Sequence, residues 1–428
     1  MKRYIYKQLL AWKNEKEHKP LILNGARQVG KTYILREFGR NEYKRMAFFS
    51  LDRDQKALEI FNKGGRATDM LMALSAICHE DITPHDTLVV LDEIQNCPKA
   101  LEALKFFCEE TPEIDIVVAG SLLGLSIHSG VSYPVGKVEE LHLYPMTFLE
   151  FLEAMGKTQL VNLLENKNWT VINMLETELI SSLRQYYYVG GMPAAVLAHI
   201  EKKGWKEVRR IQQQIITDYR RDFSKHAPTR EIPRINMLWD SIPAQLAKEN
   251  KKFVYGAVKK SARAADFEMA IQWLIDAGLA YKVPRVNAPR LPLKFYEDIS
   301  AFKLFMLDVG LMGAMAETTA ESVVVGDNIF SEYKGAFTEL YVFTQLKALG
   351  YSLYYHAVDN STIEIDFLTQ RDNQVIPIEV KAEVNVKAKS LRTFISNNPE
   401  LKGIRFSMLP YKEQDWMTNI PLYACMAW

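Results

Sequence analysis

Apolar positions recur along this chain at two different periods, and the changes of period divide it. Over the first 150 residues, short runs with few polar positions alternate with helical stretches: Leu21 to Leu23, Met46 to Leu51, Leu88 to Leu91, Ile116 to Ala119 and Glu140 to Leu143. Strands without a polar face must be covered on both sides, so this rhythm predicts an α/β domain with a parallel sheet between helices. From Phe148 to about Thr229 the spacing becomes helical, broken at Gly190-Gly191-Met192-Pro193, and predicts a helical lid on the sheet domain. A third region predicts helix at Ile235 to Lys248, a short segment with Phe253 to Val258 and helix at Ala264 to Ala277. Strands at Leu279 to Val283 and Leu293 to Tyr296 follow. In the last, a helix beginning at Ala336-Phe337-Thr338-Glu339 precedes strands at Ile363 to Leu368 and Pro377 to Lys381. The expected boundaries are 1–150, 151–230, 231–315 and 316–428, with no internal repeat or low-complexity segment.

The turn after the first strand is the most specific chemical signal. Gly25-Ala26-Arg27-Gln28-Val29-Gly30-Lys31-Thr32 satisfies the phosphate-loop pattern G-x-x-x-x-G-K-[ST] between a predicted strand and a predicted helix. There the loop N–H groups and the helix N-terminus face an anion, Lys31 reaches the outer phosphates of ATP, and the Thr32 hydroxyl is placed to ligate magnesium. Leu88-Val89-Val90-Leu91-Asp92-Glu93 ends a second strand in two acids, a Walker B pattern. Asp92 is expected in the magnesium shell and Glu93 as the group that polarises attacking water. Ser121, after a third strand, reaches the same edge as a sensor of the terminal phosphate or as a simple cap.

Composition narrows the remaining classes. A net charge of +1 gives no global attraction to nucleic acid or membrane, so such binding needs a local patch. The four cysteines, Cys78, Cys97, Cys108 and Cys425, form no C-x-x-C pair, and the eight histidines show no ligand spacing, which points to a reducing compartment without a zinc site. No uncharged apolar run approaches 18 residues and no leader pattern opens the chain, so a cytoplasmic, membrane-independent protein is expected.

The third region follows the element order of a winged helix, whose third helix suits a DNA major groove. Between Lys251 and Lys294, nine basic residues face three acidic ones, and Lys259, Lys260, Arg263 and Arg285 are the expected phosphate contacts. Interdomain packing with a solvated charged face is the alternative. In the last region, Glu379 and Lys381 share one face of a strand, and Asp366 on a neighbouring strand completes a D…E-x-K arrangement, with Glu339 from the helix as an extra acid. This order fits a restriction-endonuclease-like domain. Asp366 and Glu379 would hold magnesium and Lys381 would stabilise developing charge, or the fold would be a degenerate one used for docking.

Together these segments resemble a widespread prokaryotic family of AAA-type ATPases that carry a C-terminal domain of unknown function with a nuclease-like end. The carriers are Asn24 to Thr32, Leu91-Asp92-Glu93-Ile94-Gln95, Ala119-Gly120-Ser121, Tyr144-Pro145-Met146-Thr147-Phe148-Leu149-Glu150-Phe151, Gly190 to Pro193, Ile365-Asp366-Phe367 and Pro377 to Lys381. The resemblance implies ATP hydrolysis, and Gly136-Lys137 departs from the Gly-Arg pair expected before the Pro-x-x-F segment. The resulting expectation is a P-loop sheet with helical lid, then winged helix, then nuclease-like α/β domain, working as an ATPase that acts on DNA. The alternatives are a nucleotide-dependent signalling switch and an ATP-regulated nuclease. An arginine finger from Arg184, Arg220 or a neighbouring subunit of a homo-oligomer would complete the ATPase site.

Overall fold

The computed structural model describes residues 1–121, 133–248, 252–326, 328–358, 363–382 and 388–428, and the side chains of these apart from 325, 326 and 328–332. The chain divides into two compact units. One comprises Lys2–Tyr144 with Asp276–Leu279, the other Met1, Pro145–Ile275 and Ala280–Trp428.

In the first unit, β1 (Leu21–Asn24), β2 (Arg45–Ser50), β3 (Thr87–Asp92), β4 (Asp115–Ala119) and β5 (Glu139–His142) form one sheet in the order β2-β3-β4-β1-β5. Every neighbouring pair is parallel. Helix α1 (Ile5–Asn14) precedes β1, and α2 (Lys31–Glu42), α3 (Gln55–Lys63), α4 (Ala67–Cys78) and α5 (Pro98–Glu110) connect β1 to β2, β2 to β3 and β3 to β4. β3 and β4 are buried at every position, as a sheet covered on both faces requires. A core of Phe49, Phe61, Leu74, Leu91, Leu104 and Phe107 fills the space between β2 to β4 and helices α3 to α5. Because β4 lies between β1 and β3, the carboxyl ends of all three strands deliver their following residues to one edge.

The second unit begins with a helical layer: α6 (Phe148–Ala154), α7 (Thr158–Glu165), α8 (Trp169–Met174), α9 (Glu176–Val189), α10 (Pro193–Ile200) and α11 (Trp205–His226). These helices fall in the compact unit that holds the C-terminal sheet. Phe148, Tyr186 and Tyr187 pack edge-on against Tyr341 of α16 (Asn328–Ala348), and the Phe148 N–H donates to Gln345 Oε1 at 2.8 Å. The Gly190-Gly191 break has a packing cause. The Gly191 N–H donates to buried Asp308 at 2.6 Å, and a side chain at Gly191 would strike the Met146 carbonyl.

Next come α12 (Ile232–Leu246), α13 (Tyr255–Val258), α14 (Ala264–Asp276) and the hairpin β6 (Ala280–Val286) with β7 (Glu297–Met306). One element expected in this segment is corrected. Leu293–Tyr296 is a 3₁₀ turn, and the second strand starts at Glu297. The hairpin does not stand alone. β6 pairs with β8 (Tyr354–Ala357) and joins β9 (Glu364–Arg371), β10 (Gln374–Val380), β11 (Gly403–Ser407), β12 (Lys412–Glu413) and β13 (Met417–Pro421) in an eight-stranded sheet ordered β12-β13-β11-β10-β9-β8-β6-β7. Helices α15 (Val309–Met315) and α17 (Lys389–Asn397) also belong to this unit.

Candidate nucleotide site and a carboxylate cluster

The phosphate loop is shaped by residues that tolerate positive φ. Gly25, Gln28 and Gly30 have φ of +149°, +65° and +99°, and a side chain at Gly25 would strike the Leu143 carbonyl. Arg3, buried beneath the loop, donates to the Val29 carbonyl at 2.9 Å and the Tyr144 carbonyl at 2.6 Å, tying the loop to the end of the unit.

Lys31 opens α2 and is buried. Its ammonium donates to the Gly25 and Ala26 carbonyls at 2.8 and 2.9 Å, which curls the loop over it. Burial lowers its pKa to about 8, although Glu93 and Asp92 pull the other way. Thr32 Oγ1 donates to Asp92 Oδ2 at 2.7 Å, so a hydroxyl from the start of α2 meets the carboxylate that ends β3. Burial raises the Asp92 pKa and the Thr32 hydrogen bond opposes it. A hydroxyl and one carboxylate converging beside the loop are the donor set that a magnesium nucleotide takes, so these residues fit the expected cofactor.

Glu93 follows Asp92 with φ +56°, a left-handed turn that swings its carboxylate off the strand line. The Gln95 amide donates to that carboxylate, while Gln95 Oε1 is buried and unpartnered among the described residues. Ser121 Oγ accepts from Arg27 Nε at 3.1 Å, linking the strand-β4 hydroxyl to the phosphate loop itself. The sequence places Gln95 in the motif without assigning it a task, and Arg27 only as a loop residue. Lys137, in the departing Gly-Lys pair, is engaged with Glu109 at 2.9 Å. Arg220, one finger candidate, pairs with Asp240 at 2.7 Å.

Within the same unit, the Asp276–Leu279 turn lies against the loop. A Cβ at Gly278, which has φ +69°, would come 3.3 Å from the Ala26 nitrogen.

In the second unit, β8, β9 and β10 form an antiparallel meander and β11 runs parallel to β10. Asp366 Oδ2 accepts from the Val380 N–H at 2.7 Å, Lys381 pairs with Glu379 at 2.8 Å, and Lys381 also faces Asp366 and Glu339. Burial alone would lower the Lys381 pKa, but Asp366 and Glu379 outweigh it and the net shift is upward. The four expected residues thus converge around Lys381. Among the described residues no three His, Cys, Asp or Glu side chains are arranged to hold a metal ion. A further buried cation, which the sequence reading missed, joins them. Lys303 of β7, fully buried, puts its ammonium 3.0 Å from Glu339 and 2.7 Å from Glu364, over the Tyr355 ring. Its only signal was a lone lysine in Ala301-Phe302-Lys303-Leu304-Phe305-Met306.

Of the expected DNA contacts, Lys259, Lys260 and Arg263 are exposed. Arg285 is not available. It donates from Nε and Nη2 to Asp298 at 3.0 and 2.6 Å across the β6–β7 hairpin, with only 12% of its side chain exposed. Lys251 lies outside the described residues.

Residues 17–152 match the AAA domain family, and this segment is a P-loop domain of AAA type. Residues 180–322 match a domain of unknown function (DUF8612) and residues 334–424 another (DUF4143). No curated protein matches the sequence. Among solved structures, the Walker-type ATPase PABY2304 of Pyrococcus abyssi is similar at 13% identity and TM-score 0.46, covering 74% of this chain and 95% of that one. Cdc6p from Pyrobaculum aerophilum is 14% identical with TM-score 0.28, covering 76% and 96%. The Drosophila ORC bound to DNA is 15% identical with TM-score 0.26, covering 75% and 94%. TM-scores this low carry no argument about activity. Among the described residues, no helix is long and apolar enough to cross a membrane.

Proposed function

We propose that this chain is a magnesium-dependent ATPase whose nucleotide state sets the placement of a winged-helix and nuclease-like module, and that the module acts on DNA. The loop N–H groups and Lys31 bind and orient the phosphates. Thr32 and Asp92 would hold magnesium, which when bound neutralises phosphate charge. Glu93, held by Gln95, orients the attacking water and accepts its proton at a carboxylate oxygen. Ser121 and Arg27, hydrogen-bonded to each other, sit where the terminal phosphate is read.

The observation that carries the coupling is Gly278. Its turn belongs to the nucleotide-binding unit and touches Ala26 of the phosphate loop, while the chain on either side continues into α14 and β6 of the winged-helix segment. A loop that shifts with bound nucleotide would therefore press on the turn that joins recognition helix to wing. ATP turnover measured with and without single- and double-stranded DNA, in the parent and in Gly278→Val, tests this reading. DNA should stimulate the parent and the stimulation should fall in the variant, whose side chain meets the Ala26 backbone at a positive φ. Equal stimulation in both would remove the coupling, and no stimulation by any DNA would favour the signalling switch.

A further inference from the structure

The carboxylate cluster of the second unit is filled from within. Glu339 of α16, Glu364 and Asp366 of β9 and Glu379 of β10 come from three elements, and an ammonium from a fourth, β7, reaches them. Lys303 has no exposed side-chain surface, so its charge must be paired where it lies. It contacts Glu339 and Glu364 at 3.0 and 2.7 Å, spacings of charge-assisted hydrogen bonds rather than the ~2.0–2.1 Å of magnesium to oxygen. Burial would push its pKa down, yet Glu339, Glu364 and Asp366 together raise it. On the other side Lys381 holds one oxygen of Glu379, and Arg405, which donates to Asn419 at 2.8 Å, faces the same carboxylate. Three cations thus stand against four acids. Glu379 Oε2 remains buried and unpartnered among the described residues, a ligand atom of the kind that a divalent ion would use.

We propose that the Lys303 ammonium takes the place of a divalent cation in this cluster, so that the centre is closed to metal as long as β7 is paired into the sheet. The inference stands on the cluster alone and holds whether or not the first unit hydrolyses ATP. It makes β7 the element that fills the centre.

The test is Mn²⁺ binding, read by the loss of free-ion electron paramagnetic resonance signal, on the full chain carrying Thr32→Ala and Asp92→Asn to silence the nucleotide site. With Lys303 present no Mn²⁺ should be taken up. Lys303→Met should gain one bound ion per chain, and adding Asp366→Asn should abolish that gain. Lys303→Arg, which keeps the charge, should bind none. Should the Met variant lose its native circular dichroism, Lys303→Gln, which keeps hydrogen-bond donors without charge, is read in its place. Mn²⁺ uptake by the Lys303-containing chain that Asp366→Asn removes would overturn the proposal. So would a folded neutral variant that binds none.

Discussion

Two buried lysines sit among acids in this molecule and titrate in opposite directions. Lys31 is held by neutral carbonyls of its own loop, so desolvation prevails and its pKa falls to about 8. Lys303 is held by carboxylates, and its pKa rises although it is at least as buried. The contrast shows how one residue type makes two kinds of site. A lysine whose partners carry no charge keeps a positive charge to give to an incoming anion, whereas a lysine already matched to carboxylates keeps none. The first arrangement recruits a phosphate; the second replaces a cation.

The strongest test of the first half is loss of the anion's partner. Lys31→Ala should abolish nucleotide binding in a fluorescent-nucleotide titration, and Glu93→Gln should bind normally while turnover drops by about 10²–10⁴. Wild-type turnover by Lys31→Ala would break the assignment of this lysine altogether.

The second half is read in stability. Lys303→Met leaves Glu339 buried without its cation and should cost roughly 3–5 kcal/mol by chemical denaturation, the usual effect of removing one member of a buried pair. Lys31→Met breaks no ion pair and should leave stability within about 1 kcal/mol or raise it, since a desolvated charge disappears. Equal losses at both positions would mean that the two lysines are not different in kind.

The candidate nucleotide site was legible because its parts are local: eight consecutive residues and one strand end carry the pattern. Asp366, Glu379, Lys381 and Glu339 were legible as an ordered set for a similar reason, since each lies on a strand or helix whose period is visible. What closes that set was not legible. Lys303 arrives from a strand more than 30 residues before Glu339, by way of β6 pairing with β8, and no period in either segment announces that pairing. Arg285 misled for the same reason, because its partner Asp298 depends on hairpin register across a bulge at Pro284/Arg285. The grouping of residues 145–275 with the C-terminal sheet rests on aromatic contacts such as Tyr187 with Tyr341, which sequence spacing does not encode.

That correction changes the expected DNA response. With Arg285 committed to Asp298, three cations remain of the four expected, and a Lys259→Glu, Lys260→Glu, Arg263→Glu variant tests them together. Three phosphate contacts give a loss of about 40-fold in affinity between roughly 50 and 200 mM salt, from a slope of about −0.9 per contact. Charge removal should flatten that slope, whereas Arg285→Gln should leave it unchanged while weakening the hairpin. A slope that follows Arg285 instead would show that the Asp298 pair opens to meet phosphate.

The smallest effect expected concerns a buried histidine whose pKa, like that of Lys303, is raised by a carboxylate. His18 Nε2 lies 3.1 Å from Asp115 Oδ1, with both side chains buried and Trp12 against the imidazole, and His85 Nδ1 lies 3.8 Å from the same carboxylate oxygen. The hydrogen bond to Asp115 raises the His18 pKa from 6.5 against the opposing effect of burial, with Glu139 adding to the rise. A raised histidine pKa means that the folded state binds the proton more tightly than the unfolded chain. Its contribution is therefore complete below about pH 6.5 and is lost as the pH climbs through the higher folded value. The melting temperature of the nucleotide-binding unit should be lower at roughly pH 8 than at roughly pH 6, and His18→Gln should remove that slope. The Lys303 cluster makes no such contribution in this window, because its pKa moves away from neutrality. A calorimetric slope between those two pH values that survives in His18→Gln would place the titrating pair elsewhere and leave the His18–Asp115 bond as a neutral hydrogen bond.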